Sequence, residues 1–150
     1  MKWFNYIGLV FVVLLLIPNI VFAIKNKKEQ KQPNKRILEI FEQIGRYGSM
    51  LFMIFNIPYT FWGFYFAYAQ IVYIAINSAL MLAYYIFWII FWKKDCLTKS
   101  LLLSIIPSIL FTFSGIMVAS VPLIIFAIIF AIFHIWISAK NFNAITSKVS

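Results

Sequence analysis

Between Tyr47 and Trp92 the chain runs for 46 residues without a formally charged side chain, and between Leu101 and Ala139 for another 39. A helix of about 20 residues crosses the roughly 30 Å of bilayer hydrocarbon at about 1.5 Å per residue. Each run is therefore close to two spans and must turn back on itself. Water offers such runs no place: 64% of the residues are hydrophobic and 11% charged, against about 25% charged in ordinary soluble domains. In lipid a helix pairs its own backbone groups and hydrocarbon takes the apolar side chains. The expected fold is all-α, a polytopic transmembrane helical bundle that takes up residues 1–150 as one integral membrane domain.

Five spans are predicted, at about 3–24, 47–67, 71–92, 101–119 and 122–139. The first ends in the small-residue pattern of a cleavable signal at Val21, Phe22 and Ala23. Only Lys2 precedes its apolar core, whereas six basic residues follow within Lys25–Arg36, so a retained helix is expected. Pro18 frees a carbonyl one turn earlier, which a neighbour or water must satisfy. A polar basic linker, 25–36, leads to 36–46, where Ile37, Ile40, Phe41 and Ile44 recur at helical spacing and Glu39, Glu42, Gln43 and Arg46 take the other side. That pattern predicts a short cytoplasmic amphipathic helix with a solvated charged face, turning at Gly45 and Gly48 into the second span. An inner-surface extension of the second helix, bent at those glycines, is the alternative. Pro122 suits the first turn of the last helix. The last two segments are short enough that a re-entrant pair competes with two full spans. A polar tail, 140–150, completes the chain.

Charge gives an independent check. Of 13 basic residues only Lys2 lies on the outer side of a five-span arrangement, and the other 12 border the inner ends. Basic loops resist translocation, so the amino terminus is expected outside and the carboxyl terminus in the cytoplasm, in the plasma membrane of a prokaryote. The formal charge of +9 thus reads as topology and not as nucleic-acid binding. Membrane lipids are the expected partners, with Lys25, Lys27, Lys28, Lys31, Lys35 and Arg36 meeting anionic headgroups. The lone Cys96 excludes an intramolecular disulfide and a multi-cysteine metal site.

Small and polar residues mark the packing faces. Ser100, Ser104, Ser108 and Thr112 recur at intervals of four in the fourth helix, and Ala75, Ala79 and Ala83 in the third; such seams bring backbones together and let hydroxyls bond across. Ala127, Ala131, His134 and Ser138 share one face of the fifth. The candidate intramembrane polar site is His134, Ser138, Asn56, Asn77, Ser104, Ser108 and Thr112. His134 stands first because it is the one side chain in a predicted span that titrates near neutral pH. Tyr59, Trp62 and Tyr84 are the candidate aromatic pocket.

Catalysis has little support. The four acids, Glu29, Glu39, Glu42 and Asp95, all fall outside the predicted spans, and no nucleophile, metal-ligand cluster or phosphate loop is recognisable. No metal or cofactor is expected. In size, span number and aromatic load the chain resembles in outline the translocator, or tryptophan-rich sensory, proteins. Lys25–Arg36 lacks the proline-rich, tryptophan-bearing loop expected there, so no residue role is carried over. The leading expectation is a protein that acts by helix packing, as a homo-oligomer or in a larger membrane complex. The alternative is binding or transport of a small apolar or weakly polar solute.

Overall fold

Asn5 starts the first helix by accepting the Gly8 amide on its side-chain oxygen and the Leu9 amide on its carbonyl, both at 3.0 Å, which satisfies donors that a helix start leaves free. The computed structural model describes residues 3–25, 36–93 and 97–149. Their helices are α1 Tyr6–Lys25, α2 Arg36–Ile54, α3 Ala69–Ile90, α4 Leu97–Val118 and α5 Val121–Val149. Three of them, over Ala69–Ile90, Leu97–Val118 and Val121–Asn141, are long and apolar enough to cross a membrane. The chain is a multi-pass helical membrane protein.

The expectation of five spans is overturned. The segment 47–67 is not a span, because α2 ends at Ile54 and the chain is non-helical from 55 to 68. Pro58 removes a donor there, and Tyr59 and Gly63 have positive φ, 69° and 81°, which no α-helix admits. The apolar stretch of α1, Tyr6–Val21, rises only about 24 Å against the roughly 30 Å of hydrocarbon. The short amphipathic helix expected at 36–46 is also corrected: α2 runs without a break through Gly45 and Gly48 to Ile54.

The glycines serve contact, not a corner. A Cβ on Gly45 would lie 2.6 Å from the Phe130 backbone nitrogen of α5. α2 consequently packs on α5 more extensively than any other pair of helices, tightened by stacked rings of Phe41 on Phe133 and Phe52 on Phe126. Its apolar residues Ile37, Ile40, Ile44, Tyr47 and Leu51 point outward and are exposed, while Glu42, Ser49 and Met53 are buried. α2 is thus inside-out relative to a helix of a soluble protein, a pattern that only an apolar surrounding stabilises.

α4 lies centrally, between α3 and α5. Asn77 and Ser114 exchange hydrogen bonds across α3 and α4, at 3.0 and 3.3 Å. α1 leans on α3 through its own proline defect: Pro18 cannot bond the Leu14 carbonyl, and the Tyr85 hydroxyl donates to that oxygen from α3 at 2.6 Å.

The non-helical segment keeps its polar backbone satisfied by pairing at both ends. The Asn5 and Asn56 amides donate to Ile54 and Trp3 carbonyls at 2.7 and 2.8 Å, and the Gly63 and Val121 amides to Val118 and Thr60 at 3.0 and 3.1 Å. Such pairing is what irregular backbone needs where water is scarce. The helix directions set Lys25, Lys93, Lys99 and Lys140 toward one end of the bundle and the 55–68 segment with the α4–α5 turn at the other.

Candidate functional site

His134 meets a carboxylate that the sequence reading placed in water. Glu42 is 5% exposed; its Oε1 accepts from His134 Nδ1 at 3.0 Å and also pairs with the Arg46 guanidinium one turn along α2. The solvated charged face expected for Glu42 and Arg46 is therefore corrected. Helical periodicity was right that these residues share a side, but that side faces α5.

The imidazole is held from behind by Phe130, stacked at a ring separation of 4.6 Å. Close approach of α2 at Gly45, opposite the same Phe130, is what brings the carboxylate within reach. Burial raises the Glu42 carboxyl's affinity for a proton; hydrogen bonding to His134 and the charge of Arg46 oppose it and win, holding the pKa below 4.5. Glu42 is consequently an anion at neutral pH. Arg46 keeps about a third of its side chain exposed, at 30%.

Below this cluster the serine stripe serves two ends. Ser104, Ser108 and Thr112 each donate to the carbonyl one turn back in α4, at 2.7 to 2.8 Å. Ser104 and Ser138 also bond hydroxyl to hydroxyl across to α5. Ser104 and Ser108 are both buried.

At the opposite end lies a cavity of about 340 Å³ lined by Phe4, Asn5, Tyr6, Ile7, Asn56, Phe64, Gln70 and Val118. Its walls come from the start of α1, the non-helical segment, the start of α3 and the end of α4. Asn56 is 6% exposed, and its Oδ1 has no hydrogen-bond partner among the described residues. Nor has the hydroxyl of fully buried Tyr73, whose ring packs edge-on against Phe64 at 5.7 Å. A wider hollow at Ile89, Ile90, Trp92 and Lys93 lies on exposed side chains and buries no polar group.

No family model, curated protein or solved structure matches this chain. The site is accordingly read from its own geometry.

The polar residues singled out in the sequence fall into three separate places: His134, Ser138 and Ser104 toward the basic end, Asn77 at the α3–α4 contact, and Asn56 in the far cavity. Tyr59 and Trp62 are exposed at that far end, and Tyr84 is buried in α3 with its hydroxyl 3.4 Å from Asn19; the three share no pocket. Lys27, Lys28, Lys31 and Lys35 lie outside the described residues, and Lys25 and Arg36 are the last and first residues of α1 and α2. Cys96 also lies outside them. Among the described residues no group of three acids, histidines or cysteines is placed to hold a metal.

Sequence reasoning missed three functional candidates: Glu42, Arg46 and Asn5. Glu42 carried a usable signal, since an acid on a helix that shows isoleucine to its surroundings needs a partner, and His134 is the one histidine.

Proposed function

We propose that this membrane protein binds or moves a small, weakly polar solute within its bundle, and that Glu42 and His134 tie this to protons. The observation that carries the reading is the ionisable pair joining α2 to the spanning helix α5, 3.0 Å apart. Ionisable groups inside apolar bundles are costly unless paired, and they mark proton and solute sites. Protonating the imidazole turns a neutral hydrogen bond into an ion pair and tightens the α2–α5 contact; protonating the carboxylate loosens it. Among the described residues Arg46 on α2 also acts on the pair, and Tyr84 on α3 lies within electrostatic reach of Arg46.

The test is flux or binding of neutral radiolabelled solutes in reconstituted vesicles at pH about 5 and about 8, comparing the parent with Glu42→Gln and His134→Gln. A pH dependence that both variants flatten supports the reading. Flux and binding that neither pH nor substitution changes overturn it.

A second reading, assembly by helix packing, has its own support. Ala75 and Ala79 face outward on α3, beside exposed Ile71, Leu82 and Ile86, and small residues on an outer face let a second helix approach. Disulfide trapping at Ala79→Cys in native membranes tests it, with Cys96→Ser as background. On either reading we assign the end that carries Lys93, Lys99 and Lys140 to the cytoplasmic side of a prokaryotic plasma membrane.

A further inference from the structure

We propose that the cavity at the non-helical end is a binding site for a neutral molecule that carries a hydrogen-bond donor, a hydroxyl or N–H, on an apolar body, and that Asn56 is its acceptor. The inference rests on the solute reading and names the chemistry of its ligand; its evidence lies at the end of the bundle away from Glu42.

The first support is an orphaned group. Asn56 is held in place by its backbone, whose amide donates to the Trp3 carbonyl at 2.8 Å, yet its side-chain oxygen has no partner among the described residues. Leaving a buried acceptor unpaired is costly, and a ligand donor that reaches it recovers that cost. The second is the character of the walls. Aromatic and aliphatic groups from Phe4, Ile7, Phe64 and Val118 face amides of Asn5, Asn56 and Gln70, with no charged residue among the described lining. A carboxylate or ammonium headgroup would find no counter-charge among these residues and lose more solvation than the amides return. A neutral donor loses little. The third is size: about 340 Å³ falls at the low end of the roughly 300–1,000 Å³ of small-molecule sites, enough for a headgroup and the first part of a chain. Behind the lining, the buried ring of Tyr73 packs edge-on against Phe64 and holds that wall in place.

Two sources supply this chemistry: a lipid with a free hydroxyl arriving through the bilayer, or a short alcohol or amide arriving from water. The protein in lipid nanodiscs is photolabelled with a long-chain primary alcohol bearing a diazirine near its hydroxyl, and the labelled peptides are mapped. The control probes are its methyl ether, which lacks the donor, and the matching carboxylic acid. Labelling by the alcohol should concentrate on 4–7 and 55–70 and exceed that by either control at least tenfold, the factor that corresponds to about 1.4 kcal/mol. Asn56→Leu should remove the preference for the alcohol over the ether. Phe64→Trp, which fills the cavity and keeps the amide, should lower labelling by all three probes, so that the result does not depend on one variant folding. Displacement by millimolar water-soluble pentanol assigns the aqueous source; displacement by monoacylglycerol alone assigns the bilayer. Equal labelling by alcohol and ether in the parent, or label spread along the outer faces of α3 and α5, overturns the proposal. If this assay fails while flux still responds to Glu42→Gln, the solute reading stands and the cavity assignment falls.

Discussion

Ala119 closes the turn between α4 and α5 at φ 53°, in the left-handed region that costs a residue with a Cβ about 1–2 kcal/mol. Ala119→Gly should remove this strain, and thermal melting in nanodiscs should show a gain of about 1 kcal/mol after glycine's larger entropy in the unfolded chain is allowed for. Glu42 predicts a pH effect of definite sign. Its carboxyl titrates below 4.5 in the folded protein, so its contribution to stability is complete above the unfolded value and is lost as pH falls through the folded one. Melting temperature should therefore drop on acidification below about pH 4.5, more steeply in the parent than in Glu42→Gln. An equal acid limb in both proteins would count against the pair.

At the scale of elements, the decisive contact is that of α2 with α5. Gly45→Ala gains about 1 kcal/mol of helix propensity but sets a methyl 2.6 Å from the Phe130 nitrogen, and overpacking of this kind costs about 1–3 kcal/mol. The net expectation is destabilisation, measured by unfolding in mixed micelles, together with weaker pairing of Glu42 with His134. Tyr85→Phe should cost about 1 kcal/mol by the same measurement, since it strips the donor from the Leu14 carbonyl and keeps the ring. These elements also show what the sequence could tell. Uncharged runs and their bordering lysines were legible because hydrophobicity and charge act locally, and α3, α4 and α5 follow from them. Gly45 and Gly48 read as a corner because a single chain does not reveal which helix will press against a bare backbone. Glu42 read as solvated because periodicity tells which residues share a face, and in lipid it is the apolar face that can turn outward. Asn56 was picked out as polar and deep, but its cavity depends on where α1 begins and where α4 ends, which are contacts between distant segments.

For the molecule as a whole, helix direction places Tyr59 and Lys93 at opposite ends. In a Cys96→Ser background, Tyr59→Cys should react with an impermeant maleimide on sealed cells, and Lys93→Cys only after permeabilisation; reaction of both from one side would refute this arrangement. The proline defect of α1 bears on how such a protein is made. The Leu14 carbonyl belongs to a helix that leaves the ribosome before α3, while the tyrosine that satisfies it lies 71 residues later. Until α3 is synthesised, that oxygen must keep water beside it. Docking of α1 is therefore a late event in biogenesis, completed when the newer helix arrives and displaces the water.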